Sequence, residues 1–359
     1  MKKILIVVIT VVLILVALVV VYKAPNGKEL PRPIAKGEPV SVSEAIPVDT
    51  SFCADTLAKS AGTLCAIQPS KIDSHILDVS PASGLKGDES LGFGYHVLAI
   101  PDDLAQAKGI WLHFTGSYGR AYSQRTDDYS TDVWLNELME EGYVVIQLAY
   151  DNRFSINGDL CGRKNDGQDR DNCAGEVREI GLTGKGTSPY RSTDTYNTID
   201  YRLKTLLTYI EDTQGIDLPG NIDANNIDWS KVSVSGHSQG ANQAYFIAKQ
   251  RPVAFVCILA GGYDSADSVN PGGLAIADWF TTGTSVTPTS KISALLTTTD
   301  DNYKTFYKGL TQAVGLPVQQ IVIADAKKYY SSDGDEVNGH AGTIKDPTLK
   351  AKRAEACFR

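Results

Sequence analysis

The stretch KVSVSGHSQGANQAYFIAK, Lys231 to Lys249, decides the reading of this chain. Val232 and Val234 lead in as a short strand, and Ala241 to Lys249 continues as a helix. Between them stands Gly236-His237-Ser238-Gln239-Gly240. Glycines at both ends of so short a segment allow a turn too sharp for larger side chains, which holds the central serine at the mouth of the helix. A serine placed there has the backbone N–H of the next residue, Gln239, and the positive end of the helix dipole beside it, both suited to a developing oxyanion. A bare Gly-x-Ser-x-Gly is common by chance. The strand before it and the helix after it make this one specific, and Ser238 is the candidate nucleophile.

Outward from the turn, strands and helices alternate. Tyr95 to Ile100 and Ile110 to Phe114 read as strands, Val133 to Glu141 as a helix, and Tyr143 to Ala149 as a near-continuous apolar strand of a parallel sheet. Ile199, Leu203, Leu206, Leu207 and Ile210 recur at helical spacing. Ala254 to Ala260, Ile292 to Leu296 and Gln320 to Ala324 supply further strands. The pattern predicts an α/β fold, a mostly parallel sheet with helices on both faces, whose ligand site lies at the carboxyl ends of the strands.

The run GHSQGA opening a helix, with AFVCILAGGYD after it, resembles the secreted esterase and lipase-like branch of the α/β-hydrolase superfamily. Cys173-Ala-Gly-Glu-Val-Arg-Glu179 and the helix containing Tyr201-Arg202-Leu203 are similar to less characterised members. The resemblance spans about residues 90 to 345 and implies the fold and a serine hydrolase, not the substrate. It also implies a base in a loop after the last strand. Of five histidines, His75 and His96 precede the site-bearing elements, His237 should point away from its neighbour Ser238, and His113 reads as packing. His340, in Asn338-Gly-His-Ala-Gly342, remains as the base. For the acid, Thr297-Thr298 in the place of the family's His-Gly pair would make it Asp301, with Asp300 the close alternative and Asp264 a rarer variant. The order Ser, Asp, His fits the superfamily and not chymotrypsin-like or subtilisin-like proteases. In His113-Phe-Thr-Gly-Ser-Tyr-Gly119, Gly116 matches the family's turn glycine. The backbone N–H of Ser117 is then the oxyanion donor beside that of Gln239, and Tyr118 competes with it.

The ends of the chain add a compartment. Ile4 to Tyr22 is an uncharged, almost wholly aliphatic run of 19 residues, long enough to span a bilayer, and no good cleavage site follows it. The run is therefore expected to be an uncleaved anchor; Lys2 and Lys3 favour a cytoplasmic N-terminus, a bias that Lys23, Lys28 and Arg32 blunt without reversing, which leaves the rest outside the cytoplasmic membrane. The expected organisation is an anchor over 1–23, a proline-rich tether over 24–50 and a hydrolase domain over 51–359. Among six cysteines, Cys161–Cys173 and Cys53–Cys65 read as local pairs suited to that compartment. Cys257 reads as a buried free thiol, with a bridge to Cys357 left open. A formal charge of −8 argues against nucleic acid. No cysteine or histidine spacing suggests zinc, and the Asp- and Asn-rich insertion over 151–192 lacks a calcium-loop pattern. A second insertion, 265–290, carries Leu274, Ile276, Trp279 and Phe280, as a small lid or as core. The expectation is a cofactor-free, membrane-tethered carboxylic-ester hydrolase acting on small or acyl esters. An amidase or acyltransferase with the same residues, and a binding protein on a hydrolase scaffold, are the alternatives.

Overall fold

The computed structural model describes residues 48–78, 94–123, 128–129, 131–161, 172–219, 226–265, 276–325, 329–330, 336–337 and 339–359. Ile4 to Tyr22 and most of the expected tether lie outside the described residues. Among those described, no helix is long and apolar enough to cross a membrane.

Nine strands form one sheet: β1 (Asp55–Lys59), β2 (Gly62–Ile67), β3 (His96–Pro101), β4 (Gly109–Phe114), β5 (Tyr143–Gln147), β6 (Val232–His237), β7 (Phe255–Leu259), β8 (Ile292–Thr297) and β9 (Ile321–Ala324). Their order is β1-β2-β3-β5-β4-β6-β7-β8-β9. β1, β2 and β3 pair antiparallel, as do β3 and β5, and every later pairing is parallel. This order, with a strand–turn–helix at β6, is the α/β-hydrolase arrangement over β2 to β9, extended by β1.

The β1–β2 hairpin is absent from the sequence reading, which begins its alternation near residue 90. Its signal is Gly62, where a Cβ would fall 2.0 Å from the Ile100 carbonyl oxygen; β2 lies against β3 only because no side chain stands there.

Both faces of the central strands are covered, which explains their continuous apolar runs. Ile110, Leu112, Phe114, Val144, Ile146, Val234 and Ile258 face one side, against α2 (Cys173–Thr183), α3 (Ile199–Thr208) and α4 (Gln239–Gln250). Trp111, Val145, Cys257, Leu259 and Leu295 face the other, against α1 (Asp132–Glu140) and α8 (Lys350–Cys357). The shorter α5 (Asp278–Thr281), α6 (Tyr303–Lys308) and α7 (Gly339–Lys345) lie in the connections after β7, β8 and β9.

Three disulfides brace this frame: Cys53–Cys65, Cys161–Cys173 and Cys257–Cys357. The first two are those expected. The third corrects the reading of Cys257 as a free thiol: α8 packs over β7 and β8 and brings Cys357 onto the strand from a hundred residues away, a proximity that no local pattern carries. In the second insertion, Trp279 and Phe280 are buried against Tyr245 and Phe246, so these two aromatics are core and not lid. Leu274 lies outside the described residues.

Candidate active site

Ser238 caps the N-terminus of α4 with φ 57° and ψ −123°, a backbone region that costs a non-glycine residue about 1–3 kcal/mol and persists only where the surroundings enforce it. They do so here. The Ser238 N–H donates to the Leu259 carbonyl at 2.9 Å, tying the turn to β7. A Cβ on Gly236 would stand 2.1 Å from the Gly240 carbonyl oxygen, and one on Gly240 would stand 2.2 Å from that of Phe114. Both glycines of the motif are therefore required by backbone approach, one across the turn itself and one against β4.

His340 is the second residue of α7, in a helical first turn where the sequence suggested a flexible loop. Its Nδ1 lies 2.6 Å from a carboxylate oxygen of Asp300. Asp301, the residue ranked first from the sequence, is exposed, while Asp300 is buried. The reason for this correction is the turn after β8. The Asp300 N–H donates to the Thr297 carbonyl, and the Asp300 carboxylate also accepts the Asn302 N–H at 2.8 Å. That tight turn points the first aspartate inward and leaves the second in solvent. Gly339 then permits a close approach: a Cβ there would stand 2.1 Å from Thr299 Oγ1 and 2.6 Å from Thr297 Oγ1. The helix carrying His340 thus seats directly on the turn carrying Asp300.

Ser117 and Gln239 meet through their side chains, Ser117 Oγ donating to Gln239 Oε1 at 3.0 Å. The Tyr118 N–H is committed to the Asn152 carbonyl, which removes it from the competition for an oxyanion. The N–H groups of Ser117 and Gln239 make no backbone hydrogen bond among the described residues. The Gln239 amide also accepts the Ile156 N–H at 2.7 Å and donates to the Phe154 carbonyl at 3.1 Å. One side chain therefore joins the turn after β4, the start of α4 and the first insertion. The insertion is held further by Tyr118 Oη on Asp159, by Ser265 N–H on Asn157 and by the Cys161–Cys173 bridge. Residues 154–161 of the insertion are thus tied to the turns on either side of Ser238.

Asp264, the third candidate acid, belongs to a different group. It forms a two-point ion pair with Arg178, at 2.6 and 2.9 Å, and accepts from Trp279 Nε1 and Asn242 Nδ2. Both ions are fully buried. Arg178 in turn donates to the Gln239 carbonyl and to Gln243. This network under the first turn of α4 is not visible in sequence, although Arg178 sits in the Cys173–Glu179 segment that carried part of the resemblance.

The remaining histidines stay away from Ser238 chemistry. His75 is exposed and stacks on Tyr196. His96 accepts the Ala149 N–H. His113 turns to Ser235 Oγ, and burial drives its pKa down to about 3. Burial, and then the charge of Arg202, also hold His96 well below the ordinary histidine range. The arrangement supplies a serine on an enforced turn, an imidazole held by a buried carboxylate, and two backbone N–H groups.

No family model matches the sequence, and no curated protein does. Among solved structures, an S-formylglutathione hydrolase from Agrobacterium tumefaciens is similar at 13% identity and a TM-score of 0.42, over 84% of this chain and 98% of that one. A bacterial heroin esterase gives 14% and 0.37, over 84% and 82%. An esterase from Pyrobaculum calidifontis gives 13% and 0.35, over 73% and 78%. The α/β-hydrolase character of this chain stands on its own strand order and on the turn at Ser238.

Proposed function

We propose that this protein is a serine hydrolase that cleaves carboxylic esters through an acyl-enzyme on Ser238. The observation that carries the reading is the 2.6 Å pair between His340 and the buried Asp300, on the same sheet edge as the strained serine. In this reading the Ser238 hydroxyl attacks the acyl carbonyl as His340 takes its proton. Asp300 fixes the imidazole tautomer and stabilises the imidazolium. The N–H groups of Ser117 and Gln239 receive the oxyanion. His340 then passes its proton to the leaving alcohol, and water repeats the sequence in reverse to release the acid.

The reading extends to location. The apolar run Ile4 to Tyr22 and the three disulfides support an exported domain tethered to the outer face of the cytoplasmic membrane.

A fluorophosphonate probe should label the wild-type protein and not Ser238→Ala, and nitrophenyl esters should turn over with wild type alone. Equal labelling of the two would overturn the proposal; no labelling of a folded wild type would leave a binding protein. Faster turnover of matched anilides than of esters would make it an amidase. Recovery of the full chain in the membrane fraction, cleavable by protease added outside the cell, tests the location.

A further inference from the structure

The sequence reading sets His237 aside as a base because it adjoins Ser238 in the chain. What it points to is His340. Its Nε2 lies 2.9 Å from the His340 backbone carbonyl oxygen, and the two rings are 4.8 Å apart. A carbonyl can only accept, so this nitrogen carries the proton and His237 is the donor. Thr343 Oγ1 donates to the same carbonyl at 3.0 Å, and Thr297 Oγ1 donates to the carbonyl of Gly339 at 2.8 Å. Gly116 leaves the room: a Cβ there would stand 3.2 Å from His237 Nδ1.

These bonds matter for the geometry of proton transfer. Asp300 fixes one end of the His340 ring, but the ring's distance from Ser238 depends on where its backbone sits. That backbone arrives after β9, three strands from β6. His237 adjoins Ser238 in the chain, so its side chain is a link of one residue between the nucleophile and the main chain of the base. Burial, and next the charge on His340, hold His237 well below the ordinary histidine range. It stays a neutral donor while His340 cycles its proton.

We infer that His237 is a positioning residue that sets the separation of Ser238 and His340 through its hydrogen bond to the His340 carbonyl. The inference rests on the serine-hydrolase reading. A displacement of ~1 Å at such a site can cost ~100-fold in rate.

The test compares His237→Leu, which removes the donor, with His237→Gln, whose amide nitrogen can occupy the place of Nε2. Leu should lower kcat on a nitrophenyl ester by about 10–100-fold with KM within about twofold, and Gln should recover most of that loss. Thermal unfolding checks that each variant is folded. If the Leu variant does not fold, His237→Asn replaces it; its amide is too short to reach the carbonyl, so it should match the loss expected for Leu. A folded donor-less variant with wild-type kcat overturns the inference, and so does a Gln variant as slow as Leu. Failure of wild type itself to turn over ester or take the probe would instead remove the reading on which the inference stands.

Discussion

Ser238 and His340 stand on the same edge of one sheet, yet their positions come from unlike sources. Ser238 is placed by five consecutive residues, in which two glycines allow the turn and one carbonyl of β7 fastens it. His340 is placed by two separate segments, the Asp300 turn and the side chain of His237, together with Thr343 of its own helix. The first construction lies within one motif seated between two neighbouring strands. The second is a convergence, in which each segment must arrive in register. The difference teaches that one half of such a site can be read from a motif, while the other half is a property of the assembled fold.

Mutation can break this comparison at its strongest points first. Replacing Ser238 by Ala should lower kcat by about 10⁴-fold or more, since the remaining groups have no nucleophile to serve. Replacing Asp300 by Asn should cost ~10³–10⁴-fold in kcat, because the amide favours the wrong imidazole tautomer. The same change at exposed Asp301 should stay within about twofold, and steady-state kinetics on the pair decides which aspartate serves. A large loss at Asp301 alone would mean that the turn after β8 is set differently from the one described here.

The next effect falls on stability. Arg178→Met leaves Asp264 buried without its cation, which should destabilise the fold by about 3–5 kcal/mol in urea unfolding. A loss of that size would show that the first turn of α4 is braced by α2 as well as by its own motif.

The smallest effect is a pH dependence. His96, His113 and His237 all have folded pKa values lowered from 6.5, so they stay neutral in the fold while the unfolded chain takes up protons below that pH. Their contribution is complete above the unfolded value and is lost as pH falls. The slope is about 1.4 kcal/mol per pH unit for each histidine, continuing toward pH 3 for His113. Replacing His113 by Gln should lower the slope measured between pH 6 and 5 by about 1 kcal/mol per pH unit, and an unchanged slope would show that it is charged in the fold.

Much of this was legible in the sequence. The central strands matched to within a residue or two, because apolar runs buried on both faces leave little ambiguity. Ser238 was legible because its constraint is steric and contiguous. His340 was reached by elimination. Asp300 was not separable from Asp301, since neighbouring aspartates differ only in which way a tight turn throws them. The Arg178–Asp264 pair and the Gln239 bridge escaped for a related reason: each joins residues far apart in the chain, and neither partner is unusual alone. The β1–β2 hairpin escaped because its two strands are short and only its glycine marks it.

The Cys257–Cys357 bridge has a further consequence for this divided site. Asp300 and His340 both fall within the span it closes, and Ser238 falls outside. The proposed acid and base therefore ride on one covalent ring anchored at β7. A single protease cut anywhere in the ring opens it but releases no fragment, and the two linked segments re-associate as an intramolecular event at high effective concentration. A chain nicked between 258 and 356 should run as one band until reduced, and should keep Asp300 and His340 tethered to the strand beside Ser238.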